Sequence, residues 1–199
     1  MKKLNKKNPD LAIDVSGLCF AWHSHEPLLE IDALQIKRGA RIFIEGPSGS
    51  GKSTLLSLIA GVVTPQKGTI TINDQLVSAL NGADRDRFRA DHIGFIYQMF
   101  NLIPYLSVVE NVTLPCRFSL RRREEAAARS SSFEAEAMRL LKSLGLDSAS
   151  VIKKPANELS VGQQQRVAAA RALIGAPEII IADEPTSSLD TDHRKAFIR

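Results

Sequence analysis

The chain of 199 residues predicts an α/β fold, a strand-rich core with a smaller helical subdomain inserted in it. Three observations carry that expectation. A glycine-rich stretch, Gly46-Pro47-Ser48-Gly49-Ser50-Gly51-Lys52-Ser53-Thr54, joins a strand-like run to a helix-like run. Short apolar strands are patterned before Tyr97 and return at 179–181. Between them, from 99 to 176, the pattern is mostly helical.

Taken in order, residues 1–9 are polar and lysine-rich and read as a flexible tail. Stretches 11–20 and 28–36 alternate apolar with polar residues, as strands do. Residues 41–45 make a third strand leading into the glycine-rich turn, and 52–60 a helix that Gly61 stops. Another strand at 69–72 ends in the turn pair Asn73-Asp74, and 93–97 is a buried strand. Phe133, Ala137, Leu140, Leu141 and Leu144 recur at helical spacing, with Gly145 as a C-terminal stop. The expected division is 10–98 for the first part of the core, 99–176 for the helical subdomain, and 177–199 for a core strand and the residues beyond it.

Bulk composition narrows the function classes. At 44% hydrophobic and 24% charged, the chain has the make-up of a soluble globular protein. The net charge of +4 is mild, and the clusters Lys2-Lys3 with Lys6-Lys7 and Arg121-Arg122-Arg123 read as solvated surface, so no nucleic-acid partner is expected. Cys19 and Cys116 lie too far apart in sequence for metal-ligand spacing and are expected as reduced thiols in a cytoplasmic protein. No apolar stretch approaches the roughly 20 residues of a membrane-spanning helix, so any link to a membrane is expected through a partner.

Three motifs carry chemistry. The stretch from Gly46 to Thr54 fits G-x-x-x-x-G-K-[ST]. Its glycines let backbone N–H groups curl around phosphate, and the helix after it adds its positive end. Lys52 is expected at the β- and γ-phosphates and the Ser53 hydroxyl at Mg²⁺. The apolar run 179–181, then Ala182, ends in Asp183 and Glu184, as a parallel strand delivering ligands at its carboxyl end should. Adjacent strand residues point oppositely, so Asp183 is assigned to Mg²⁺ through its water shell and Glu184 to the attacking water. Third, Ser160 and Gln163 form an S-x-x-Q capping box opening a helix, and the same helix end offers the Ser160 hydroxyl and Gly162 to an anion.

With these residues in place the sequence resembles the ATP-binding cassette (ABC) ATPases, the nucleotide-binding subunits of ABC transporters, over nearly everything from Leu11 onward. The ordered motifs are the phosphate loop, Gln98 after Tyr97, the signature at 159–163, the acid strand, and Ser188-Leu189-Asp190. The resemblance implies a P-loop NTPase (RecA-like) core with an N-terminal antiparallel β subdomain and an inserted helical signature subdomain. It implies ATP and Mg²⁺ as ligands and a head-to-tail pair of cassettes, in which Ser160, Gly162 and Gln163 of one close on the γ-phosphate bound by the other. It gives Gln98 to Mg²⁺, the attacking water and the link to a transmembrane permease, and Asp190 to communication across the dimer. An aromatic on adenine is implied at Trp22, with Phe20 near enough to compete. The implied location is the cytoplasmic face of the cell membrane, held there through the permease.

Gly94-Phe95-Ile96-Tyr97-Gln98, Asn101-Leu102-Ile103-Pro104 and Glu110-Asn111-Val112 are similar to the lipoprotein-release and macrolide-export branch (LolD- and MacB-like). Two features depart from the family. Val161 stands where the first of two signature glycines is usual. The family's switch histidine comes after the acid pair, beyond another helix and strand, whereas 15 residues remain after Glu184 here. His193 comes too early for that role, and His23, His25 and His92 have no acid–base context. The expectation is therefore a C-terminally shortened chain of doubtful turnover. The alternatives are a nucleotide binder with little hydrolysis and a soluble ABC-type ATPase acting on DNA, which the absence of an interrupting heptad run disfavours.

Overall fold

In the computed structural model the described residues are 10–23 and 26–184. The chain divides into two compact units between Phe88 and Arg89. The tail 1–9, His25, Asp190 and His193 lie outside the described residues.

The first unit is built on an antiparallel sheet. Strand β1 (Leu11–Phe20) pairs with β2 (Leu29–Lys37) on one side and β3 (Lys67–Ile72) on the other, and β4 (Gln75–Leu76) closes the order β2-β1-β3-β4. The alternation of β1 buries Leu11, Ile13 and Val15, shifts by one residue at an irregularity that includes Gly17 at φ 58°, and resumes with Leu18 and Phe20 buried. Val15 lies opposite Leu34 on one neighbour and Ile70 on the other. Asn73 and Asp74 take φ of 46° and 65°, the two left-handed positions of a two-residue hairpin between β3 and β4. Helix α1 (Lys52–Ile59) starts at the end of the glycine-rich loop and buries Thr54, Leu55, Leu58 and Ile59.

One local expectation fails, and one helix forms where the sequence pattern announces none. Residues 41–45 form no strand: Ile42 and Phe43 are exposed, Phe43 by 84%, and the segment has no ladder partner among the described residues. A β-prone composition favours extended backbone, but only a neighbouring ladder makes it a strand. Conversely, α2 (Gly82–His92) arises in a stretch with no apolar period, and none of its residues is buried. Its signal is a cap: the Asn81 side chain accepts the Asp84 N–H at 2.9 Å.

The second unit holds β5 (Ile93–Ile96) and β6 (Ile179–Ala182), paired in parallel with Ile93 opposite Ile179 and Ile96 opposite Ala182. Between them run α3 (Val108–Thr113), α4 (Pro115–Phe118), α5 (Leu120–Arg129), α6 (Phe133–Ser143), α7 (Ala149–Ile152) and α8 (Val161–Leu173). The expected stripe of α6 is present, with Ala137, Leu140 and Leu141 buried and Gly145 at φ 73° beyond its end.

Helix α8 is the pillar of this unit. Val167 and Ala170 pack with Val108, Val112, Leu141, Leu159 and Ile174, while Ala168, Ala169 and Ala172 pack with Ile96 and Phe100. Small residues let β5 approach closely: a Cβ on Gly94 would stand 2.2 Å from the Ala172 carbonyl oxygen. The last carbonyls of α8 are served by buried Arg122, whose Nε and Nη2 donate to the oxygens of Ile174 and Ala172, each at 2.8 Å. Burial pushes the Arg122 pKa down to about 10, so it remains cationic at neutral pH beside the negative end of the helix. Among the described residues no helix is long and apolar enough to cross a membrane.

Candidate functional site

The glycine-rich loop, in the first unit, is a cradle already curled. Gly51 caps α1 at φ 88°, a backbone conformation that costs a side-chain-bearing residue strain. A Cβ on Gly46 would meet the Ser50 hydroxyl at 2.7 Å, so a side chain there would make the Ser50 hydroxyl turn away. Lys52 folds back over the loop, its Nζ donating to the carbonyls of Gly46 at 2.8 Å and Pro47 at 3.0 Å. The ammonium therefore sits at the mouth of the loop, its present partners being the loop's own backbone oxygens. Ser48, Gly49, Ser50 and Ser53 are exposed, and Thr54 is buried.

The two aromatic candidates separate sharply. Phe20 is a core residue of β1 at 5% exposure, whereas Trp22, just past the strand, is 57% exposed. Their rings meet edge to face at 5.0 Å, and the Trp22 indole N–H donates to the Thr54 hydroxyl at 3.3 Å. Phe20 thus props an indole that is tethered to the first turn of α1 and leaves a wide face to solvent.

In the second unit the ends of β5 and β6 bring Gln98 and Glu184 together. The Asp183 N–H donates to the Ile96 carbonyl at 2.9 Å and extends the ladder one residue past β6. Glu184 then turns to φ 43°, and the Gln98 Nε2 donates to its carboxylate at 3.3 Å. Both side chains are exposed, and Asp183 is half-buried.

The signature forms the capping box expected of it. The Ser160 hydroxyl accepts the Gln163 N–H at 3.3 Å, and the Gln163 side chain accepts the Ser160 N–H at 3.0 Å. Val161 is the first helical residue and is half exposed, without disturbing the cap. A Cβ on Gly162 would find only Arg166 Nη2, at 3.9 Å. Nothing within the described chain requires glycine there, although glycine in a helix costs about 1 kcal/mol against alanine.

Three residues whose supporting roles the sequence does not announce shape this region. Arg171 and Arg122 are buried arginines whose partners are backbone carbonyls distant in sequence, and no composition or period announces such partners. Asn111 is fully buried and binds the chain at Ile103, Leu106 and Ser107.

A family model described as "ABC transporter" matches residues 29–187. The ABC transporter ATP-binding protein YtrE of Bacillus subtilis is 45% identical over 166 residues, 83% of this chain and 68% of the relative. A lipoprotein-releasing system ATP-binding protein LolD of Cytophaga hutchinsonii is 44% identical over 176 residues, 88% of this chain and 76% of its own. The macrolide export ATP-binding/permease protein MacB of Campylobacter jejuni is 43% identical over 164 residues, 82% of this chain but 24% of that larger protein. Among solved structures, the dimeric cassette MJ0796, from Methanocaldococcus jannaschii, superposes with a TM-score of 0.80 at 38% identity, over 92% of this chain and 78% of that one. A second dimer of the same cassette, in a post-hydrolysis state with ADP and Pi, superposes equally well at 37% identity. The match over most of the chain shows that it belongs to the ABC transporter family as one of its ATP-binding cassettes.

Proposed function

We propose that this cassette hydrolyses Mg-ATP within a head-to-tail dimer and thereby drives a transmembrane permease, docked to it on the cytoplasmic side of the membrane. The observation that carries the hydrolytic reading is the Gln98–Glu184 hydrogen bond, which sets an amide and a carboxylate side by side at the ends of two parallel strands. The dimeric MJ0796 structures, one holding ADP and Pi, support the assembly, and the fused ATP-binding/permease chain of MacB supports the partner.

Each role rests on the chemistry of its group. Trp22 offers its exposed face to adenine. The loop from Gly46 to Thr54 wraps the phosphates with backbone N–H groups, and the Lys52 ammonium exchanges its two carbonyl partners for β- and γ-phosphate oxygens. The Ser53 hydroxyl, the Asp183 carboxylate and the Gln98 amide oxygen are hard oxygen donors, the kind Mg²⁺ takes, alongside phosphate and water. When bound, Mg²⁺ supplies neutralisation of charge developing on the phosphates. Glu184 accepts the proton of the attacking water, which Gln98 helps to hold. Ser160, Gly162 and Gln163 meet the γ-phosphate on the partner's nucleotide, and Asp190 carries the signal across the dimer. The unconstrained Gly162 suits that role, since a phosphate approaching the helix end needs the space a side chain would fill. A cassette on this plan divides into the core 10–98 and 177–199 and the signature subdomain 99–176.

The test is ATP turnover by the full natural chain with Mg²⁺. Glu184→Gln is expected to lower kcat by about 100-fold or more while ATP affinity stays within about threefold. Lys52→Ala is expected to weaken affinity itself. A protein that neither binds nor hydrolyses ATP, or a Glu184→Gln variant at full speed, would refute this mechanism.

A further inference from the structure

The turn that presents Gln98 is a costly piece of backbone. Phe100 and Asn101, two consecutive residues with side chains, both take left-handed φ values of 60° and 47°. Local hydrogen bonds tighten it, from the Phe100 N–H to the Tyr97 carbonyl at 2.9 Å and from the Asn101 N–H to the Met99 carbonyl at 2.7 Å. Such a conformation persists only where its surroundings over-determine it.

Here the surroundings are α8. The Phe100 ring is buried against Ala168, Ala169 and Ala172. From the last turn of the same helix, the buried Arg171 guanidinium donates Nη1 to the Asn101 carbonyl at 2.7 Å and Nη2 to the Phe100 carbonyl. One planar fork thus holds two neighbouring carbonyls at a fixed spacing, a geometry a flexible ammonium does not reproduce. Burial pushes the Arg171 pKa down, and the bonds it makes in exchange go to backbone. The far end of this helix is the Ser160 cap, about 16 Å away at 1.5 Å per residue. Signature and Gln98 turn are therefore mounted on opposite ends of one rod.

We propose that Arg171 is the positioning residue of the Gln98 turn: it locks Phe100 and Asn101 onto helix α8 and so fixes where the Gln98 amide meets Glu184. The consequence for turnover rests on the proposed roles of Gln98 and Glu184 in hydrolysis; the clamp itself does not.

Two measurements on the full natural chain separate these. The first is hydrogen exchange at the Phe100 and Asn101 amides. Arg171→Met is expected to speed it by about tenfold or more without changing exchange in β1. The second is turnover in a cycle with Gln98→Ala. Arg171→Met is expected to lower kcat by about 10- to 100-fold with KM for ATP within about threefold. It should cost little more in the Gln98→Ala background, because the turn then has no amide left to aim. Arg171→Lys should recover part of kcat. Arg122→Met, which removes the other buried arginine at the end of α8, is the control for general destabilisation, with equal effects in both backgrounds. Unchanged exchange at Phe100 and Asn101, or equal turnover losses with and without Gln98, would overturn the assignment. A Gln98→Ala variant at full speed would instead remove Gln98 from the mechanism, and exchange alone would then decide the clamp.

Discussion

At the scale of single residues, the protein separates groups packed into the core from polar and aromatic groups left exposed. Trp22 shows the contrast best, because it is the one tryptophan in the chain and its neighbour Phe20 is packed away. An indole anchored by one hydrogen bond and open on its face is a natural reporter. ATP stacking on it should change its fluorescence, and the change should saturate with the binding constant measured independently. Trp22→Phe should abolish the signal and retain most of the affinity, since a phenyl ring can still stack; Trp22→Ala should weaken binding about tenfold, of the order of one stacking contact. Fluorescence that ignores saturating ATP would remove Trp22 from the adenine site. Sequence alone leaves two aromatics in play; burial on β1 is the property that divides them, and it depends on the sheet having formed.

At the scale of elements, ends and turns are controlled by polar groups that serve several partners at once. Asn111, on α3, is fully buried; it accepts the Ile103 N–H at 2.8 Å and donates to the carbonyls of Ile103, Leu106 and Ser107, each at 3.1 Å. Asn111→Ala strands these groups in the interior and should cost about 2–4 kcal/mol in chemical denaturation; a loss below about 1 kcal/mol would mean water replaces the amide without penalty. The same contrast between local and distant partners decides how much of the fold is legible in the sequence. The β1 alternation, the α6 stripe and the Ser160–Gln163 box are local patterns, and the folded elements match them to within a residue or two. The glycine-rich loop 46–54 is local as well, since its glycines encode its curvature. Residues 41–45 carry a strand's composition yet form none, because strand formation is a property of pairs. Helix α2 escapes a periodicity reading because a helix with no fully buried residue needs no strict apolar period. Asn111 and Arg171 are invisible as supports because their partners are backbone groups of another segment, which any residue supplies.

At the scale of the whole molecule, the charges that hold the second unit together make its stability depend on acid. Glu136, on α6, is buried to 2% exposure and bound by Arg139 through Nε and Nη2, each at 2.7 Å, and by the Ser130 hydroxyl at 2.7 Å. The Arg139 hydrogen bonds hold its pKa below the ordinary carboxylate value, more than burial raises it. Glu178 lies just before β6, and Arg121 and His92 pair with it, joining the starts of β5 and β6. Burial raises its pKa, but its own backbone N–H, His92 and Arg121 together bring it below the ordinary value. Both groups are thus more acidic folded than unfolded. Their stabilisation is fully present above the unfolded carboxylate pKa of about 4.3 and is lost as pH falls through the folded values. Each proton taken up on unfolding contributes a slope of at most about 1.4 kcal/mol per pH unit. Urea unfolding followed by circular dichroism, which the helices α3 to α8 dominate, should therefore show a midpoint nearly level from about pH 6 to 5 and falling steeply below about pH 4. Glu136→Gln should be less stable at neutral pH, having lost the ion pair with Arg139, yet show a shallower acid slope, because one of the titrating groups is gone. An acid slope identical in the variant would mean that Glu136 titrates alike in both states, and that the Arg139 fork is a surface contact with no hold on the fold.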